Sequence, residues 1–147
     1  MDISKLYQMP LRFDMLMERN RELPAVNLGT SIAQNIFLII TSKYQEHRFD
    51  PEYGCEIWER DFELITNPLI WQEEVNKSII KTLKNYERRL DNINVNTVIT
   101  EEPYFNPLTR IRSIKKKLTI HVRGVLKATG EPFTFSPQLF ISPISIE

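Results

Sequence analysis

The chain has 147 residues, of which 41% are hydrophobic and 26% charged, and its formal net charge is zero. These values are near those of ordinary soluble domains, so they disfavour a disordered or fibrous protein and fit one domain with a real core. Cys55 is the single cysteine, which excludes an internal disulfide and favours a reducing compartment. The longest apolar run, residues 36–40, is too short to span a membrane, so we expect no membrane insertion.

Residues 1–28 are interpreted as an N-terminal arm. They contain many apolar side chains, but Pro10 and Pro24 would interrupt a long helix. We therefore expect one short helix near residues 13–19. The main domain is predicted to span residues 29–147.

The first helix of that domain is predicted to open at residues 29–31. Ser31 and Gln34 have the spacing of a capping box, and the apolar pattern continues to about Tyr44. Because this helix is apolar nearly all round, we expect it to be covered on two sides.

A turn and two further helices should follow. Gly54 can take positive φ in a turn at residues 50–54, and residues 56–65 are predicted to form a short helix. The next helix is longer and has a well-defined start, because Asn67 is a favourable N-cap and Pro68 a favourable first helical residue. Its apolar positions recur every three or four residues as far as Tyr86.

The end of the long helix carries three consecutive charged residues, Glu87, Arg88 and Arg89. On a continuing helix, Glu87 and Arg89 would be separated by about 200 degrees of rotation. Both can therefore face solvent only if the helix ends between them. We expect one of the two to point inward or towards a partner.

After the long helix, apolar residues recur at every second position. Residues 93–99 and 114–126 alternate as strands with one solvated face. Pro103 and Pro107 are predicted to bracket the loop between them, and residues 128–131 to form a hairpin turn. The predicted fold is α+β, with a mostly antiparallel sheet, a C-terminal hairpin and helices packed on one face.

Three segments, in this order of elements, resemble one known family. They are residues 31–36, the turn at residues 48–55, and Tyr86-Glu87-Arg88-Arg89-Leu90 ahead of the strands. Together they resemble the small baseplate wedge proteins of contractile phage tails and their type VI secretion counterparts, the TssE proteins. The resemblance covers residues 29–140. The family hallmark is Glu-Pro-Arg at the end of the long helix, and Arg88 stands where proline is usual, which would allow the helix another residue.

The resemblance implies a structural protein without enzyme activity or cofactor. Such a protein joins the baseplate wedge to the contractile sheath and helps to start sheath assembly, in several copies around the baseplate ring in the cytoplasm. The implied partners are the wedge core bundle, made of TssF/TssG-like proteins, and TssB/TssC-like sheath subunits. A type VI secretion system is the favoured setting, and a phage tail or extracellular injection particle is the alternative.

The resemblance also implies where the partners bind. Glu87 and Arg89 are implicated in docking to the wedge core bundle, and Arg88 belongs to the same predicted site. An internal salt bridge between Glu87 and Arg89 is an alternative that is compatible with docking. The tail Ile144-Ser145-Ile146 alternates and could pair with a sheet edge, in this chain or in a sheath subunit.

Two other functions are weaker hypotheses. A basic strand face could bind nucleic acid, but the chain has no basic excess and lysines commonly cover solvated strands; its residues are Lys115, Lys117, His121 and Arg123. A lysozyme-like glycoside hydrolase would need two carboxylates facing one cleft, one of them held protonated. The candidates are Glu56, Glu59, Glu63, Glu73, Glu74, Glu101 and Glu102, and acid-rich helix faces are usually only solvated.

The remaining chemistry-bearing residues are expected to be structural. His47 and His121 are far apart in sequence, and Cys55 does not complete a spaced ligand set, so no metal site is predicted. Cys55 is expected to be a small buried residue. Trp58 and Trp71 are expected to anchor the core.

Overall fold

A computed structural model describes residues 5–17, 22–59 and 67–141. The helices are α1 (Phe13–Leu16), α2 (Leu28–Thr41) and α3 (Pro68–Tyr86), with a 3-10 helix at Glu56–Glu59; the strands are β1 (Leu90–Phe105), β2 (Arg112–Leu126), β3 (Pro132–Phe135) and β4 (Gln138–Phe140). The α+β prediction is confirmed. The rest of the predicted helix at residues 56–65, and the tail Ile144-Ser145-Ile146, lie outside the described residues.

The strands form one antiparallel sheet around β2. β1 pairs with β2 from Leu90 opposite Leu126 out to Phe105 opposite Arg112. β3 pairs with residues 122–125 of β2, and β4 pairs with residues 117–119. β1 occupies one edge of β2. Along the other edge, β3 and β4 lie one after the other, like a single interrupted strand.

The loop prediction between the long strands is wrong at one end. Pro103 lies inside β1, opposite Ile114, instead of starting a loop. Proline is tolerated on an edge strand because its missing N–H can face away from the ladder. No described strand pairs with the other edge of β1, so β1 is such a strand.

The helices pack on one face of the sheet. Leu118, Ile120 and Val122 alternate along β2, and all three are fully buried. They belong to one core with buried residues of both long helices, which are Ile32, Ile36, Ile39 and Ile40 of α2 and Trp71, Val75, Ile79 and Leu83 of α3. The packing of helices on one sheet face is therefore confirmed.

The start of α3 is confirmed and that of α2 is not. The side chain of Asn67 accepts hydrogen bonds from the backbone N–H groups of Leu69 and Ile70, at 3.1 and 3.4 Å. The N-cap of α2 is Asn27, whose side chain accepts from the N–H of Thr30 at 2.8 Å. Asparagine is a strong N-cap, and it places the helix start earlier than the predicted Ser31–Gln34 box.

The turn after α2 explains why that helix ends at Thr41 instead of near Tyr44. The carbonyl of Ser42 accepts a hydrogen bond from the N–H of Cys55 at 2.9 Å, which closes the loop. Gly54 has a φ of +133°, and a Cβ there would lie 2.7 Å from the Ser42 carbonyl oxygen. Glycine is therefore required at this close approach.

The N-terminal arm is folded back on itself and attached to α2. Tyr7 and Ala25 form an antiparallel bridge, and the N–H of Val26 donates to the carbonyl of Leu6 at 2.8 Å. The N–H of Met9 donates to Oε1 of Gln34 at 3.1 Å. Gln34 therefore holds the arm, where the sequence predicted a helix cap.

Candidate functional site

Glu87 lies at the end of α3 and its side chain is 1% exposed. Its Oε1 accepts from the backbone N–H and the Nε of Arg89, at 3.1 and 2.8 Å. Its Oε2 accepts from the Nη2 of Arg89 at 2.9 Å and from the Nδ2 of Asn35 at 2.7 Å. Both carboxylate oxygens therefore have two donors, and the charge is compensated within the chain.

Arg89 completes the connection between the two long helices. Its Nη1 donates to the hydroxyl of Ser31 in α2 at 2.9 Å, while Nε and Nη2 bind Glu87. Its carbonyl accepts from the N–H of Lys127 at 3.0 Å, just after β2. The pair thus ties α3, α2 and the sheet together, and the Arg89 side chain remains 35% exposed.

Local backbone geometry creates this pair. Glu87 is the C-cap of α3, with φ −113° and ψ 83°, so the helix ends at Tyr86 without a proline at position 88. The departure from helical angles brings the Arg89 guanidinium back onto the Glu87 carboxylate two residues away. This explains how both charged groups avoid the opposite positions that a continuing helix would give them.

The electrostatics of the pair favour the ionised forms. Burial alone would raise the pKa of Glu87, but hydrogen bonds from Arg89 and Asn35 outweigh it, so the pKa lies below its ordinary value. The hydrogen bond to Glu87 raises the pKa of Arg89. Glu87 is the one buried acidic side chain among the described residues.

Arg88 differs from both of its neighbours. It is exposed, and it makes no hydrogen bond or ion pair with any of the described residues. The sequence places Glu87, Arg88 and Arg89 side by side, but the structure divides them into an internally satisfied pair and a cation, Arg88, that has no partner among the described residues.

The three residues border a groove with a volume of about 1070 Å³. One wall comes from the arm and the other from the outer side of α2, and the apolar residues that line it are Tyr7, Met9, Leu11, Phe37 and Leu38. Phe37 and Leu38 are 46% and 45% exposed. The second side of α2, which the sequence predicted to be covered, is therefore an open apolar surface.

Sequence reasoning missed several members of this site. Ser31 and Asn35 bind Arg89 and Glu87 across more than fifty residues of chain, which no local pattern indicates. The position of the arm residues depends on the arm folding back, which no local pattern indicates. The signal that was available is segment 31–36, which carries the family resemblance and contains both partners of the pair.

The basic strand face is mostly engaged within the chain. Lys117 forms an ion pair with Glu102, and the Nζ of Lys115 lies 3.6 Å from the ring centroid of Tyr104. The Nδ1 of His121 lies 2.9 Å from the hydroxyl of Ser136. This arrangement resembles a solvated strand surface and gives no continuous cationic path for nucleic acid.

Among the described residues, the one buried carboxylate is not arranged as a general acid for glycoside cleavage. A general acid needs a pKa raised by an apolar setting, whereas the pKa of buried Glu87 is lowered. Glu73, Glu74 and Glu101 are exposed, and Glu63 lies outside the described residues. No group of three metal-ligating side chains occurs within residues 5–17, 22–59 and 67–141.

The predictions for Cys55 and Trp71 are confirmed, and that for Trp58 is not. Cys55 is buried, and burial raises the pKa of its thiol to about 11. Trp71 belongs to the core, whereas Trp58 is half-buried outside the core cluster, where its Nε1 donates to the carbonyl of Ile40 at 2.7 Å. Among the described helices, none has the length and apolar character needed to cross a bilayer.

Comparison with known proteins identifies the family. The family model described as baseplate wedge protein gp25 matches residues 26–131. Baseplate wedge protein gp25 of Enterobacteria phage T4 is 34% identical over 104 residues, which cover 70% of this chain and 76% of the relative. The chain belongs to the baseplate wedge protein gp25 family. It is therefore a baseplate component of a phage-tail-like machine.

Two solved structures share the fold. A crystal structure of a putative tail lysozyme from Geobacter sulfurreducens has a TM-score of 0.58 at 16% identity, covering 84% of this chain and 100% of the other. A chain of the type VI secretion baseplate complex has a TM-score of 0.55 at 13% identity, covering 77% and 93%. At these identities the likeness concerns the fold alone.

Proposed function

We propose that this gp25-family protein is a non-catalytic adaptor between the wedge core bundle and the contractile sheath of a type VI secretion system. In this role it occupies the cytoplasmic baseplate in several copies, with residues 29–147 as the working domain and residues 1–28 as an arm. The observation that carries the proposal is the free Arg88 beside an apolar groove and a fully compensated Glu87–Arg89 pair.

The Glu87–Arg89 pair acts by positioning in this proposal. With four hydrogen bonds and 1% exposure, the Glu87 carboxylate has no free acceptor to offer a partner. It fixes the end of α3 against α2, and the fixed end presents Arg88 and the exposed part of Arg89 to the wedge. A partner that fills the groove with apolar side chains would gain by placing a carboxylate at Arg88.

The sheath contact is proposed to use backbone pairing. The outer edge of β1 is unpaired among the described strands, and it extends over 16 residues. Such an edge is a template for a strand from another chain. TssB/TssC-like subunits are the proposed donors, and the tail Ile144-Ser145-Ile146 is the proposed strand that this chain offers in return.

A phage tail is the second candidate setting. It is favoured by the 34% identity to the wedge protein of phage T4. An extracellular injection particle would use the same contacts. A lysozyme activity has less support, because the tail-lysozyme likeness is at 16% identity and the pKa of Glu87 is shifted away from a general acid's.

The test is co-purification of tagged full-length protein with TssF/TssG-like subunits from its native cells. Arg88→Glu should weaken retention of the wedge subunits at least about tenfold, because charge reversal replaces an attraction by a repulsion. Arg123→Glu is the matched control, since Arg123 is also exposed but lies on β2, away from the groove. Equal retention by both variants would reject the docking role of the groove. Retention of phage tail proteins instead would select the second setting.

A further inference from the structure

The far end of the β1–β2 hairpin extends beyond the other strands that the structure describes. β4 pairs with β2 only as far as Lys117, and the last described contact on that edge is from the N–H of Ile141 to the carbonyl of Lys116, at 2.9 Å. β1 and β2 remain paired out to Phe105 and Arg112. Residues 103–115, here called the ribbon end, therefore project about 17 Å past β4 as a two-stranded ribbon.

One face of the ribbon end continues the face that the helices bury. Side chains alternate along β2, so Ile114 lies on the same side as buried Leu118. Cross-strand partners share a face, which places Pro103, opposite Ile114, and Phe105 on this side as well. Ile114 is 67% exposed and Phe105 is 54% exposed. Between this apolar surface and the buried core, the same face carries Glu101 opposite Lys116.

The loop at the tip adds further apolar surface in a defined conformation. Leu108 and Ile111 are 92% and 57% exposed. Asn106 holds the loop, because its side chain accepts from the N–H of Leu108 at 2.9 Å and its carbonyl accepts from the N–H of Arg110 at 2.8 Å. Exposed apolar side chains that cluster on an ordered loop mark an interaction surface.

All charged residues of the ribbon end are basic. Its charged residues are Arg110, Arg112 and Lys115, and it contains no carboxylate, although the whole chain is neutral. Lys115 is stacked on Tyr104, whereas Arg110 and Arg112 are exposed. A complementary partner therefore needs apolar side chains flanked by carboxylates.

We propose that the ribbon end binds an amphipathic helix of a neighbouring baseplate subunit. The apolar stripe of this helix would lie across Ile114 and Phe105. Asp or Glu residues beside the stripe would face Arg112 and Arg110. A helix fits because helices already cover this face of the sheet, so the partner would extend the same layer. This contact is separate from the groove and from the outer edge of β1. A lipid surface would engage the tip but leave the flat face of the ribbon unused.

The experiment uses a cross-linker at position 114 of the full-length protein. Cys55 is 1% exposed and the pKa of its thiol is raised to about 11, so Ile114→Cys supplies the single reactive thiol. The probes are the wedge and sheath subunits of the same organism, purified and mixed singly with this protein. Thr129→Cys is the matched control, because it is exposed at the turn at the opposite end of β2.

The expected result is a cross-link from position 114 to one subunit, within a helix whose apolar residues repeat at three and four positions with flanking Asp or Glu. Arg112→Glu in the Ile114→Cys background should lower the yield at least about tenfold at low salt, and Arg123→Glu should not change it. Position 129 should give no such product.

Four results would overturn the proposal. The first is the absence of a cross-link to any subunit, and the second is a cross-link yield that Arg112→Glu leaves unchanged. The third is loss of the product with Arg88→Glu but not with Arg112→Glu. The fourth is binding to vesicles rich in anionic phosphatidylglycerol without any subunit cross-link. An unchanged melting temperature of each variant ensures that these outcomes report on binding.

Discussion

The Glu87–Arg89 site and the ribbon end differ in how far their side chains are satisfied within the chain. At the first, a buried carboxylate has four internal hydrogen bonds. At the second, four large apolar side chains are more than half exposed, namely Phe105, Leu108, Ile111 and Ile114. Charged motif residues can therefore fix the positions of helices, while less distinctive residues at the ribbon end leave apolar surface for binding.

Breaking the pair should have the largest effect on stability. Glu87→Ala leaves the Arg89 guanidinium and the Asn35 amide without their acceptor, which should lower the free energy of unfolding by about 3 kcal/mol. Urea denaturation of both proteins measures it. If the variant is as stable as the parent, the pair does not hold the helices together.

Acid should weaken the same pair by a smaller amount, because a protonated Glu87 can still accept some hydrogen bonds. The pKa of Glu87 is lowered in the folded protein, so its contribution is complete above the unfolded value of about 4.3 and is lost as pH falls through the folded pKa. Stability should therefore drop more steeply below pH of about 4 in the parent than in Glu87→Gln. Parallel pH curves for the two proteins would contradict this.

Removing the hydrogen bond from Arg89 to Ser31 should lower the free energy of unfolding by a still smaller amount. Ser31→Ala deletes one hydrogen bond to Nη1 and leaves both contacts with Glu87, so the expected loss is about 1 kcal/mol. Ser31→Thr keeps a hydroxyl and serves as the control in the same urea titration. A loss as large as that of Glu87→Ala would mean that α2 anchors the pair more strongly than Glu87 does.

The ribbon end should show the smallest effect on folding. Leu108→Ser removes a side chain that is 92% exposed, so the free energy of unfolding should change by less than about 0.5 kcal/mol. Binding of a hydrophobic dye to the folded protein should fall at the same time. A clear loss of stability would show that Leu108 packs within the domain instead of serving a partner.

Patterns that act over a few residues were predicted well. The start of α3 at Asn67 and Pro68 and the turn before Gly130 depend on neighbours in sequence, and the structure has both. The α+β class follows from the change of apolar period after α3. These features need no knowledge of distant contacts.

The errors arise where distant contacts decide the structure. Ser31 was predicted to cap α2, but Asn27 is the cap, and the Ser31 hydroxyl instead accepts a hydrogen bond from Arg89, 58 residues away. Pro103 resembles a loop residue until the position of β1 at the sheet edge makes it acceptable within a strand. The compensation of Glu87 was one of two alternatives, and Asn35 and Arg89 support the internal one without excluding a partner at Arg88.

The arm has a consequence for how this protein can diversify. Its residues Tyr7, Met9 and Leu11 form a wall of the groove, yet they precede the family-matched residues 26–131 and are not part of the buried core. Substitutions in the arm therefore reshape the mouth of the groove while leaving the packing of α2, α3 and the sheet untouched. In the proposed docking role, recognition of different wedges can change through the arm while the packed domain stays the same.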